Sequence, residues 1–315
     1  MRIVLSQLNV SADPRENERQ IVAATSRAAG DGADLVVFPE ASMKAFNSGR
    51  LDEVAEPLDG QFATALSQAA QENQVTVIAG MFTPADTVER DGKQLNRVHN
   101  TLLVALPDGD TDHYHKIHLF DAFGFNESDT VAPGNRLVVV DIPLRADDGA
   151  QADDGAADGA DDDTSDADSS NPRTSVSVGL ATCFDIRFPE QFVHLAELGA
   201  EVIVVPASWN DGPGKVTQWQ ALVTARALDS TTFVAACDVA RPGGAKAAGE
   251  AEGPTGVGHS MVVAPDGLPI ATAGYDAQQV VADIDLQEIQ RLRKSIPVLE
   301  IRANKNTEDQ PDING

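Results

Sequence analysis

Two short, uninterrupted apolar runs constrain this chain most: LVVF at 35–38 and VIVV at 202–205, each stopped by a proline. Runs of this length without polar alternation mark strands covered on both faces, not strands with one face in water. Such strands need a helix layer on one side and a second sheet or helix layer on the other. The remaining chain supplies these partners. Strands read at 2–10, 74–82, 136–144, 174–183, 232–240, 259–273 and 279–286, and HNTLLVALPDGDTDHYHKIHL reads as two strands around the turn PDGD. Helical spacing recurs at 14–30, 60–73, 188–201 and 216–230, with a last helix near 286–294. Helices alternating with strand pairs point to an α/β chain whose helices lie outside two stacked sheets.

Charge limits the partners. The formal net charge is −26, and only seven of the 23 basic residues are lysine. A surface this acidic repels phosphate backbones, which argues against nucleic acid. Molar salt shrinks the Debye length to about 3 Å and relieves such self-repulsion, so the composition suggests a halophilic setting. No run approaches the roughly 18 apolar residues that span a bilayer, and MRIVLSQLNV lacks the basic region and long apolar stretch of a signal peptide. Two cysteines are too few for a disulfide framework. A cytoplasmic protein is therefore expected, with no membrane partner. Residues 147–170 hold ten aspartates, no basic residue and nothing large and apolar, and are expected to be a disordered insertion between two strands. The tail from Asn304 to Gly315 is expected to be loose.

Cys183, in LATCFDIRFPE, falls at a strand end with a helix opening beyond it. Backbone N–H groups there can face a developing oxyanion, and a helix N-terminus favours thiolate, so the position suits a nucleophile as well as it suits a small buried hydrophobe. Cys237, inside TFVAACDVA, has no turn beside it and reads as core. No histidine spacing supplies a base: His194 lies in the helix after Cys183, while His99, His259 and the cluster His113, His115 and His118 lack CxxC or HExxH partners, so no metal site is expected. FPE occurs at 38–40 and at 188–190. Glu40 ends a strand buried on both faces, where apolar surroundings favour a carboxylate that works as a base. Glu190 reads as a first-turn carboxylate favoured by the helix dipole. Lys116 ends a largely apolar strand, and a buried ammonium there needs a partner.

These residues sit in LVVFPE, HKIHLFDAF, FNES with VAPGN, GLATCFDIRFPE, WQALVTARALDS and GHSMVVAPDG. In that order they resemble the nitrilase superfamily of carbon-nitrogen hydrolases, most of all its ω-amidase and deaminated-glutathione-amidase branch. The resemblance implies a four-layer αββα sandwich, a single domain over 1–303, a homodimer and no cofactor. It implies catalysis by Glu40, Lys116 and Cys183, with Glu127 as a second glutamate of the site or, alternatively, a solvated loop residue. Cys183 would attack an amide carbonyl, Glu40 would move the protons, and Lys116 with the backbone N–H of Phe184 would hold the oxyanion. Arg187 is expected to anchor a substrate carboxylate or to pair with Glu190 or Asp185, and Trp209 to line the pocket or simply to pack. The expected substrate is a small carboxylated amide; the alternatives are an N-carbamoyl amino acid or an aliphatic amide. Two departures stand out: the loop from HLFDAF to Glu127 is shorter than in that branch, and the acidic insertion replaces a tight turn.

Overall fold

In the computed structural model, which describes residues 1–90, 92–122, 124–145, 173–250 and 253–307, the two apolar runs occupy inner positions of two facing sheets. The acidic insertion and residues 308–315 of the expected tail lie outside the described residues. The chain runs β1 (Arg2–Gln7), α1 (Pro14–Gly30), β2 (Leu35–Val37), α2 (Gln61–Asn73), β3 (Thr76–Arg90), β4 (Lys93–Ala105) and β5 (Thr111–His115). Two short strands follow, β6 (Asp121–Ala122) and β7 (Phe125–Asn126). Then come β8 (Val139–Pro143), β9 (Ser175–Leu180), α3 (Pro189–Glu197), β10 (Val202–Ala207), α4 (Lys215–Ser230), β11 (Phe233–Asp238), β12 (Met261–Val263), β13 (Pro269–Thr272) and β14 (Gln278–Asp283). The chain continues through α5 (Gln287–Ser295) and α6 (Val298–Thr307). The last of these is a helix beyond the final one read from periodicity, and it takes in the first four residues of the expected tail.

One sheet has the order β14-β1-β2-β3-β4-β5 and the other β13-β12-β11-β10-β9-β8. Each has a parallel centre, β1-β2-β3 and β9-β10-β11, flanked by antiparallel strands. Alternation along the central strands explains why their sequences are apolar throughout. Leu35 and Val37 point between the sheets and meet the cluster that holds Val202 and Val204. Val36 and Phe38 point the other way, among Ile21, Phe62 and Leu66 of α1 and α2. Ile203 and Val205 likewise join Leu195, Trp219 and Val223 of α3 and α4. Three apolar layers thus separate four layers of secondary structure, αββα. Each large side chain so buried contributes about 1.5–3 kcal/mol.

Local signals set where the elements begin. Asp13 caps α1 by accepting the Arg15 N–H at 2.9 Å, and Pro14 occupies the first turn, where it gives up no helical hydrogen bond. Parallel strands β2, β9 and β10 all deliver their C-terminal ends to one edge of the sandwich, the usual place for a site in parallel sheets. That edge holds Glu40, Cys183 and Ser208.

Candidate active site

Glu40 lies three residues beyond β2, on a turn pressed against β3. A Cβ on Gly80 would come within 2.5 Å of the Ala41 nitrogen and 2.9 Å of the Glu40 Cα, so glycine is required there for the turn to approach. The carboxylate is 1% exposed. Its Oε1 accepts from Asn100 Nδ2 at 2.7 Å and Lys116 Nζ at 3.1 Å, and its Oε2 accepts from the Ser208 N–H at 2.9 Å. The last bond ties the two sheets together through the carboxylate itself.

Lys116 follows β5 and is 2% exposed. Besides Glu40 it donates to both oxygens of Glu127, at 3.0 and 2.9 Å. Glu127, in the 3-10 turn 127–129, is also buried, and its Oε2 takes the Phe120 N–H at 2.7 Å. The structure therefore places it among the other site residues, not on a solvated loop. Burial presses the Lys116 ammonium toward releasing its proton, but Glu127 and then Glu40 outweigh it and hold the group charged well above the usual lysine range.

Cys183 opens a 3-10 turn, Cys183–Arg187, between β9 and α3. Its φ is 46°, a left-handed conformation that costs a non-glycine residue about 1–2 kcal/mol. Asp185 holds this turn in place. Its Oδ2 accepts from the Thr182 N–H at 2.8 Å and from the Tyr114 hydroxyl at 2.7 Å; its Oδ1 accepts from the His118 N–H at 2.9 Å, with His118 Nδ1 also at 2.9 Å. The same carboxylate thus fixes the thiol turn to the segment that carries Lys116. The thiol is 9% exposed and lies beside Glu40, Lys116 and the Ser208 N–H. Burial first, and then Glu40, push its pKa well above that of an ordinary cysteine, with Lys116 opposing. Its resting form is the protonated thiol, beside a carboxylate that can accept its proton.

The other expected residues lie around this cluster. Phe184 sits edge-on to Phe120 and Phe188, with ring centroids 5.1 and 5.6 Å apart. Arg187 pairs with neither Glu190 nor Asp185 among the described residues. Its Nη2 donates to Gln218 Oε1 at 3.1 Å, and the guanidinium lies 5.5 Å over the Trp209 ring. Trp209 is buried against Trp219 and does not line the cavity beside Glu40. That cavity, about 70 Å³, is walled by Phe46, Pro242, Pro254, Thr255 and Ser208, and Glu40 is the only charged residue among the described ones that line it.

Three residues of the arrangement escaped the sequence reading. Asn100 on β4 orients Glu40; Ser208 supplies the N–H across the sheets. Asp238 accepts the Trp209 N–H at 2.8 Å and the Val257 N–H at 2.7 Å, fixing the strand end that carries Ser208. Burial drives its pKa well up, against those backbone donors. A signal for Asn100 was available. The PDGD turn sets the β4–β5 register, which pairs Thr101 with His115 and so puts Asn100 beside Lys116, whose N–H donates to the Asn100 carbonyl at 2.9 Å.

Known proteins resemble the chain over nearly its whole length. The carbon-nitrogen hydrolase family model matches residues 2–294. A Mycobacterium tuberculosis hydrolase is 43% identical over 304 residues, covering 95% of this chain and 94% of its own length. An omega-amidase of Danio rerio is 30% identical over 309 residues, covering 96% and 95%. Among solved structures, Saccharomyces cerevisiae Nit3, a nitrilase-superfamily member, superposes with a TM-score of 0.71 at 23% identity over 95% of this chain and 94% of its own. The chain belongs to the carbon-nitrogen hydrolase family.

Proposed function

We propose that this protein hydrolyses a small carboxylated amide to the carboxylic acid and ammonia, through a thioester on Cys183. The observation that carries the reading is a buried thiol beside a carboxylate, Glu40, that also binds the Lys116 ammonium. In the forward step Glu40 takes the thiol proton as sulfur adds to the amide carbonyl. Lys116 and the Phe184 N–H stabilise the resulting oxyanion. Glu40 then gives the proton to the departing nitrogen; the C–N bond breaks, ammonia leaves and the acyl–sulfur bond remains. A water molecule, losing its proton to Glu40, adds to the thioester and releases the acid, returning the proton to sulfur. Glu127, bonded to Lys116 and not to the thiol, keeps the ammonium charged and aimed.

Arg187, held over Trp209, is the cation that this reading assigns to the substrate carboxylate. The described walls of the small cavity beside Glu40, which are uncharged, favour a second reading, a short neutral aliphatic amide. The same proposal takes in a homodimer that needs no cofactor and works in a saline cytoplasm, supported by the family and by the charge of −26. Ammonia release from α-ketoglutaramate, α-ketosuccinamate, deaminated glutathione, N-carbamoyl amino acids and acetamide, at low salt and in molar KCl, tests all of this. Turnover of a carboxylated amide that Cys183→Ala abolishes and Arg187→Gln weakens through KM supports the first reading. Turnover of acetamide alone selects the second, and activity surviving in Cys183→Ala refutes the thioester.

A further inference from the structure

The imidazoles that matched no metal motif line a second cavity, of about 280 Å³, with Asn135, Arg136 and Val138. It lies on the opposite side of β5 from Tyr114 and the space between the sheets, because strand neighbours alternate. His113 and His115 have ring centroids 4.8 Å apart, and His99 stacks on His115 at 4.1 Å. Arg136 is exposed and makes no hydrogen bond or ion pair among the described residues, in a chain where acids outnumber bases 49 to 23. Of the described carboxylates near the rings, Asp112 Oδ1 stands 4.0 Å from His113 Nδ1, and Asp86, paired with Arg97, interacts with His99. Burial and the neighbouring His99, His113 and Arg136 charges lower His115 to about 4, so at neutral pH the ring is uncharged.

Thr83 and Thr101 share a hydrogen bond of 2.9 Å, and Thr101 Oγ1, which also donates to the His99 carbonyl at 3.3 Å, lies 3.0 Å from His115 Nδ1. The cavity presents a guanidinium, two imidazoles and an amide NH2 as donors, and no carboxylate among the described residues of its lining.

We propose that this cavity is a binding site for a small oxyanion, either a phosphate group or a carboxylate, held by Arg136 with His113, His115 and Asn135. The planar guanidinium matches two oxygens of such a group, and the imidazoles supply the remaining donors. The test is calorimetric titration of the full chain with inorganic phosphate, acetate and chloride at matched ionic strength, with the imidazole NMR signals followed in parallel. Saturable binding of phosphate or acetate that shifts the His113 and His115 signals is the expected result. Whichever of the two binds identifies the oxyanion. Arg136→Gln should weaken it roughly tenfold or more while leaving amide hydrolysis unchanged. Chloride binding as tightly as the oxyanions, no saturation, or an Arg136→Gln variant that binds like the parent overturns the proposal.

Discussion

Arg241 and Lys116, two of the cations that the protein buries near one edge of its sandwich, are partnered in different ways. Arg241 is 1% exposed. Its Nε meets Asp211 at 2.6 Å, and its Nη2 meets the carbonyls of Ala247 and Glu250 at 2.9 and 3.3 Å. Asp211 in turn takes the N–H groups of Gly212 and Gly249. Among the described residues one cation thus meets one carboxylate, and backbone groups of residues 212 and 247–250 meet the same pair. Lys116 instead faces two carboxylates and a thiol. No described nucleophile stands beside the Arg241 pair, whereas the Lys116 cluster keeps a surplus carboxylate beside a thiol proton. Charge imbalance beside a nucleophile, more than burial of charge, separates the proposed catalytic cluster from the Arg241 pair.

Replacing each cation breaks the comparison most directly. Lys116→Met should lower kcat for amide hydrolysis by about 10³-fold, because an oxyanion donor is lost where no water replaces it. Thermal melting should also fall, since Glu40 and Glu127 are left facing each other without the ammonium. Arg241→Met should show the reverse pattern. Leaving Asp211 buried and alone should cost about 3–5 kcal/mol in urea unfolding, while kcat of the folded fraction stays within a few-fold. If Arg241→Met stops turnover in a protein that still melts like the parent, the matched pair belongs to the reaction and the distinction fails.

The two cysteines sharpen the same contrast. Cys237 is fully buried between the sheets, and burial holds its thiol in the protonated form throughout the ordinary pH range. Cys183 keeps a little exposure at the edge. Iodoacetamide should therefore label Cys183 at least tenfold faster than Cys237, by roughly the difference in access. Because burial and Glu40 raise the Cys183 pKa, labelling should accelerate as pH rises. Peptide mapping after a timed exposure reads both. Equal labelling in folded protein would mean that the inter-sheet layer opens as readily as the edge.

Much of this could be read before the structure, for reasons that differ by residue. LVVF and VIVV disclosed the layer order because a strand covered on both faces has no polar position, and that is a local property. Cys183 stood out because a thiol between a strand end and a helix start is also local. Its partners are not: Glu40 and Ser208 are bonded across 168 positions of sequence and Tyr114 and Asp185 across 71, and no spacing rule reaches that far. For Glu40, Lys116 and Glu127 the family resemblance took the place of distance. Asn100, Ser208 and Asp238 went unread, since a mid-strand amide, a backbone N–H and an aspartate inside an apolar run carry no motif. α6 was missed because VLEIRANKNT is polar and weakly patterned.

The smallest effect comes from the neighbour of Lys116 in sequence, His115. Both are basic and both are largely covered, but among the described residues no carboxylate lines the His115 cavity, so His115 stays neutral where Lys116 stays charged. Its folded pKa of about 4 lies below the ordinary value of 6.5. Between those two values the unfolded chain binds the proton that the folded ring refuses, so the stability that neutral His115 provides is present above pH 6.5. It is lost as pH falls toward 4. With the ring part-exposed and solvent screening allowed for, the loss should be roughly 1–2 kcal/mol. His115→Gln removes the titrating group and keeps a polar side chain against Thr101, so urea unfolding at steps from pH 7 to 4 should show a flatter acid limb than the parent. An unchanged slope would mean that the ring titrates as it does in the unfolded chain. It is then the covered setting of the strand, and not the carboxylates, that fails to explain the difference between the two neighbours.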